Sequence, residues 1–140
     1  MKLNAIVMVL LAVVLLGAPA SYAQSPAGAR PVWDVPFDFV VGDQMLPAGQ
    51  YTVRHSVPPG TVLVRSLDGQ TSHFRIANTI QAGNSKDQST LVFNRYGSQN
   101  FLARVWVAGR GDGVELKQSK LEREMARHGA VKETVAMNTR

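Results

Sequence analysis

Apolar and polar residues alternate at period two along most of the chain from residue 32 onward. In a β-strand this alternation sends successive side chains to opposite faces of the sheet. The apolar runs are short and rich in β-branched and aromatic residues, and clusters of Gly, Pro, Asn and Asp separate them. The pattern therefore predicts an all-β fold, an antiparallel β-sandwich or small barrel of about six to seven strands.

Two segments carry the signals of β-hairpin turns. Residues 67–70 place Asp68 and Gly69 between two alternating runs, and residues 96–99 place Gly97 between two more. Asp and Gly tolerate the positive φ that tight hairpins require. We therefore expect a hairpin at each segment.

A third turn is predicted at residues 46–49, with the sequence Leu-Pro-Ala-Gly. Pro47 presets φ for the second position of a type I turn, and Gly49 suits the fourth. The turn should return the chain so that four residues share one core: Phe37, Phe39, Tyr51 and Val53.

A short helix is predicted near the C-terminus. Residues 119–122, Ser-Lys-Leu-Glu, have the form of a capping box, in which the serine accepts from the helix start and the glutamate reaches back. The helix should end near residue 127, and Leu121 and Met125, four apart on one face, should dock it against the sheet. Residues 129–140 are predicted to be a frayed tail.

The first residues have the layout of a secretory signal peptide, predicted over residues 1–23. Lys2 precedes an apolar run, and a small-residue stretch follows. The run is shorter than the ~20 residues that cross a bilayer, so no stable membrane span is expected after cleavage. Residues 24–31 are predicted to be a flexible lead-in and residues 32–128 a single β domain with the helix, in an exported protein that is periplasmic or extracellular.

Composition narrows the functional classes. The chain has no cysteine, which excludes disulfides and thiolate metal sites. Its formal net charge of +5 is a modest bias towards anionic partners. The basic residues do not form the dense clusters of a nucleic-acid binder, so no nucleic-acid partner is expected. The oligomeric state stays open.

No catalytic pattern is visible in the sequence. Gly-x-Ser-x-Gly is absent, and His55, His73 and His128 lie far apart, so we predict no catalytic residue, no metal site and no cofactor. A small secreted hydrolase or metal-dependent enzyme, with residues that converge only in the folded chain, is the alternative. The tripeptide Arg-Gly-Asp at residues 110–112 matches an integrin-binding motif but is explained as a flexible connection.

Arginines share one parity of the predicted strands. The residues expected to point into the core are Tyr51, Val53, Val62, Val64, Phe74, Ile76 and Val105. Period two then sends a second set to the opposite face: Arg54, Arg65, Arg75, Arg104, His73 and Trp106. Two interpretations are open: a cationic face that binds anionic groups, or the ordinary wet side of a half-exposed sheet.

The same outer parity also contains apolar residues. They are Val40, Leu63, Val92 and Leu102. A face that is fully exposed to solvent would contain fewer apolar residues, so Trp106 could equally belong to a second core. The pattern indicates two packed sheets, a closed barrel, or a helix covering part of the face.

Four motifs together resemble a family of small secreted bacterial proteins of unknown function. They are FVVG at residues 39–42, LPAGQYTV at 46–53, FNRYG at 93–97 and LERE at 121–124. The resemblance implies an exported all-β domain with a C-terminal helix and assigns no site residues. LPAGQYTV also resembles a strand-turn-strand element of prealbumin-like β-sandwich modules.

Taken together, these patterns predict an exported, non-enzymatic binding or structural β domain of the cell envelope. An anionic envelope glycan or lipid is the expected partner of the arginine-bearing face.

Overall fold

The computed structural model describes residues 30–55, 60–84 and 86–139. The predicted signal peptide, and all but the last two residues of the predicted lead-in, lie outside the described residues. Within these ranges, no helix has the length and hydrophobicity of a bilayer span.

The described residues form ten strands and one helix. The strands are β1 (Val32–Val35), β2 (Phe39–Val41), β3 (Gln44–Leu46), β4 (Gly49–His55), β5 (Thr61–Ser66), β6 (Ser72–Gln81), β7 (Thr90–Tyr96), β8 (Gln99–Trp106), β9 (Asp112–Leu116) and β10 (Lys132–Asn138). Helix α1 (Lys120–Arg127) lies between β9 and β10. The predicted all-β class with a C-terminal helix is confirmed.

The strands form one sheet in the order β1-β4-β5-β6-β9-β8-β2-β3, and β7 pairs with both β8 and β10. All pairings are antiparallel except the short parallel contact between β2 and β8. The sheet is mixed and not closed, so the barrel alternative is wrong. β6 belongs to two halves, because it pairs with β5 over residues 72–76 and with β9 over residues 77–81.

The first half of the sheet (β1, β4, β5 and the start of β6) packs against the second half (the end of β6, β9, β8, β7, β10, β2 and β3) across one core. The Phe39 ring lies 5.0 Å from the Tyr51 ring and 5.5 Å from the Phe93 ring, edge-on to both. Phe39, Tyr51 and Val53 are buried in this core and Phe37 packs against it, so the predicted sharing of one core is confirmed.

Residues 46–49 do not join two paired strands. Leu46 is the last residue of β3 and pairs with Phe39, and the chain reverses earlier, at Gly42, which has a φ of 63°. Pro47 then links β3 to β4, which pairs with β1 and β5 rather than with β2. The predicted position of this turn is wrong, because the short strand β3 uses Leu46 as a core residue.

The two predicted hairpins are confirmed. β5 and β6 pair around residues 67–70, and β7 and β8 pair around Gly97. β8 carries a bulge, since the register shifts and Ala103 has no partner on β7. The extra residue reverses the parity, so Leu102 lies in the shared core and not on the outer face as predicted.

Helix α1 begins at the predicted cap, where Ser119 Oγ accepts a hydrogen bond from the Glu122 N–H at 3.0 Å. Met125 packs on a second cluster formed by Val40, Tyr96 and Phe101, which places the helix over the outer side of the second half. The predicted docking by Leu121 is wrong: its side chain is 43% exposed, and Glu122 is the buried residue of the helix.

The predicted frayed tail is also wrong. Residues 132–138 form β10, which pairs antiparallel with β7 along its whole length. Val135 and Met137 pack against the shared core, and this burial orders the segment.

Candidate functional site

β6 points its side chains opposite to the prediction. Val62 and Val64 face the core and stand opposite Arg75 and His73, so the arginine and histidine lie on the inner side of the strand. The hairpin turn sets this register, which the apolar pattern of β6 alone did not reveal. The residues predicted to be inward are outside: Phe74 is 54% exposed and Ile76 is 66% exposed.

The predicted arginine face is consequently divided among three places. Arg54 and Arg65 lie on the outer face of the first half, on neighbouring strands. Arg75 and His73 lie on the other face of β6. Arg104 lies on the second half and pairs with the Glu115 carboxylate at 2.9 Å. The prediction of a single face with four arginines is therefore wrong.

Trp106, the sixth predicted site residue, also belongs to the second half. Its ring covers Gly113, where an added Cβ would overlap the indole, and Lys86 Nζ lies 5.5 Å from the ring centre. The aromatic platform is thus occupied by a lysine of the same chain and lies apart from Arg54 and Arg65.

The structure brings a different set of cations together at the free edge of β6. We call this the cationic groove, a cavity of about 360 Å³. It is lined by Gly42, Asp43, Phe74, Arg75, Ile76, Leu116, Lys117, Gln118, Ser119, Lys120 and Arg123. Four of these residues are cationic and one, Asp43, is anionic, so the groove has an excess of positive charge.

Arg75 is held in the groove by the backbone. Its Nε donates to the Val41 carbonyl at 3.1 Å, and a terminal nitrogen donates to the Phe74 carbonyl at 3.4 Å. The guanidinium lies against Gly42, where an added Cβ would overlap Nε. Gly42 therefore serves both the positive φ of the β2–β3 turn and the close approach of Arg75.

Three further cations come from the segment that starts α1. Lys117, Lys120 and Arg123 are spaced by three residues, and all are exposed. A guanidinium nitrogen of Arg123 donates to the Gln118 carbonyl at 2.6 Å, while Lys120 makes only a 3.9 Å contact with Glu124. These three cations are not among the site residues predicted from the sequence, although the regular spacing of basic residues around the Ser119 cap is a signal for them.

A second cavity, of about 270 Å³, lies beside the buried Glu122. Glu122 Oε1 accepts from Asn94 Nδ2 at 2.8 Å, and from the Tyr96 hydroxyl and Gln118 Nε2 at 3.5 Å each. Burial raises the pKa of Tyr96, and the nearby Glu122 carboxylate raises it further. These contacts tie α1 to β7, so we assign Glu122 a structural role.

The loop with the Arg-Gly-Asp tripeptide is closed on itself. Arg110 Nε and a second guanidinium nitrogen donate to the two oxygens of Asp112 at 2.9 and 3.0 Å, and this pairing lowers the pKa of Asp112. Burial lowers the pKa of the neighbouring His55, and Arg110 lowers it further. The two charged groups therefore pair with each other, and both stay partly exposed at the surface.

Among the described residues, no metal-binding cluster supports the enzyme alternative: no three or more His, Asp and Glu side chains lie close enough to hold a metal ion. His55 lies near Asp112, but neither cavity described above is lined by a histidine. The alternative stays a hypothesis.

Comparisons with known proteins return no relative: no family model, no curated protein and no solved structure matches the chain.

Proposed function

We propose that the protein is an exported, non-enzymatic domain of the cell envelope that binds anionic groups through the cationic groove. One observation carries the proposal: four cationic side chains surround a cavity of about 360 Å³ in which Asp43 is the single carboxylate. Phosphate, sulfate and carboxylate groups are the chemistry that such a groove recognises.

The arrangement of the groove supports this proposal. Arg75 is partly buried and anchored by two carbonyl oxygens, so part of its ordering cost is met before a ligand binds. Lys117, Lys120 and Arg123 are exposed and bring three further positive charges to the rim. Lys120 opens the first turn of α1, where the partial positive charge of the helix adds to theirs.

The two outer arginines, Arg54 and Arg65, do not belong to the groove. They lie on the adjoining outer face. We therefore assign recognition of the anion to the four groove cations, Arg75, Lys117, Lys120 and Arg123. Arg104 lies outside the groove, and Glu115 already pairs with it.

The test is binding of the purified protein to heparin, an anionic polysaccharide, at two salt concentrations. Lys120→Gln with Arg123→Gln should weaken binding roughly 2- to 30-fold, because each exposed charge contact contributes a few tenths to 1 kcal/mol. Binding of the unchanged protein should fall as salt rises.

The matched control is Arg127→Gln with Lys132→Gln, which removes the same charge outside the groove. Both of these residues are exposed. An equal loss in the two double variants would attribute binding to net charge alone and overturn the assignment to the groove. Binding that ignores salt would overturn the proposal altogether.

A further inference from the structure

We infer that the anionic groups are lipid headgroups, and that the protein docks on an anionic membrane surface. The inference rests on the proposed function and adds its substrate class. The docking surface is the outer side of the first half beside the groove. We call it the amphiphilic face: Arg54, Leu63, Arg65, Phe74 and Ile76.

The strand register makes these residues neighbours. Arg54 stands opposite Leu63, which in turn stands opposite Phe74, so the three form one row across β4, β5 and β6. Arg65 and Ile76 lie in the adjacent rows on either side. Cations thus flank an apolar strip on a single side of the sheet.

The apolar strip is open to solvent. Phe74 and Ile76 are 54% and 66% exposed, against a general tendency to bury such side chains. Val32 and Leu67 are also exposed, and they line a shallow cavity with Arg65 at the far corner of the same half. Apolar patches of this kind, rimmed by polar groups, mark interaction sites.

Charge on this face selects an anionic partner. Strands β4, β5 and β6 contain no Asp or Glu, and the carboxylates at the margins are Asp34 on β1, Asp68 in the hairpin turn and Asp43 in the groove. Phe74 and Ile76 also line the cationic groove. The apolar strip therefore lies between Arg54 and Arg65 on one side and the groove cations on the other.

An anionic lipid surface complements both the exposed apolar strip and the surrounding positive charge. Acyl chains accept Phe74 and Ile76, and headgroup phosphates pair with the surrounding cations. A soluble anionic polymer would leave the apolar side chains in water. A symmetric pair of copies would bring two of these cationic faces together, and their like charges oppose pairing.

The test is cosedimentation of the purified protein with vesicles of phosphatidylcholine, with and without phosphatidylglycerol. The unchanged protein should sediment only with the vesicles that contain phosphatidylglycerol. Phe74→Ser with Ile76→Ser should lower that binding roughly tenfold or more, since it removes two large apolar contacts. Heparin binding should fall by a smaller factor, because Phe74 and Ile76 line the groove but contribute no charge to it.

The matched control is Met45→Ser with Leu121→Ser, which removes exposed apolar side chains elsewhere. It should leave vesicle binding unchanged. Equal binding to both kinds of vesicle, no effect of the Phe74 and Ile76 changes, or a concentration-dependent dimer that those changes abolish would overturn the lipid inference. In that case, heparin binding that still depends on Lys120 and Arg123 would preserve the proposed function. Heparin binding that no longer depends on them would overturn the proposed function together with the lipid inference.

Discussion

Glu122 belongs to the helix-capping motif of α1, but its side chain binds residues of β7. The residue was expected to complete a capping box, yet only half of the box forms: its backbone N–H donates to Ser119 Oγ, while its carboxylate turns to Asn94 and Tyr96. The side chain is 3% exposed. A buried carboxylate is retained when hydrogen-bond donors compensate the loss of water, and β7 supplies two of those donors.

Replacing Glu122 by alanine should destabilise the protein by about 1–3 kcal/mol, because the Asn94 amide and the Tyr96 hydroxyl lose their acceptor in a buried place. Glu122→Gln keeps one carbonyl oxygen and should cost less. The measurement is the free energy of unfolding in urea. Glu124→Ala, at an exposed position of the same helix, should change it by no more than about 0.5 kcal/mol, and an equal effect at both positions would contradict the role assigned to Glu122.

At the level of elements, β10 and β6 depart most from what their sequences indicate. The segment 132–138 has a weak alternation of small and polar residues, and it becomes a strand because β7 offers a free edge. β6 has a strong alternation, but the turn before it assigns the apolar residues to the outside. Pairing with β7 thus decided that residues 132–138 form a strand, and pairing with β5 decided that the apolar side chains of β6 point outward.

A charged residue at Val135 should reveal whether β10 is ordered in solution. Val135 packs on the shared core, so Val135→Lys should cost about 1–3 kcal/mol of unfolding free energy. Ala136→Lys makes the same change on the exposed side of the strand and should have little effect. If the two variants unfolded at the same urea concentration, the segment would be a frayed tail after all.

At the level of the whole molecule, one core joins the two halves of an open sheet. β6 runs from one half into the other, and the Phe39 ring touches both Tyr51 and Phe93. The halves should therefore unfold together. The buried Trp33 reports on the first half, while far-UV circular dichroism reports on all strands.

Phe39→Ala should cost about 3–5 kcal/mol and lower the unfolding midpoint of both halves equally. The check is urea unfolding in a Trp106→Phe background, in which Trp33 is the remaining tryptophan. Its fluorescence and the circular dichroism should give one midpoint. Met45→Ala, at an exposed position on β3, is the control. A Trp33 transition that stayed in place while the circular dichroism shifted would mean that the halves are independent.

The prediction of the site was only partly right, for a geometric reason. The sequence pattern predicts Arg75 as a site residue, but in an outward row with Arg54, Arg65 and Arg104. The structure places it instead beside Lys117, Lys120 and Arg123, residues more than 40 positions further along the chain. Period two assigns faces only within one strand; relating faces across strands requires the register, and a single bulge or turn residue changes it.

By itself, the sequence determined the all-β class, the two hairpins, the Ser119 cap and part of the core, because each depends on local backbone preference or on burial of a short apolar run. The tertiary structure alone decided three things: that Phe74 and Ile76 stay outside, that residues 132–138 form a strand, and that four cations meet at the edge of β6. Each of these depends on which segments become neighbours. Neighbours distant in sequence are selected by packing of the whole chain, which no local pattern encodes.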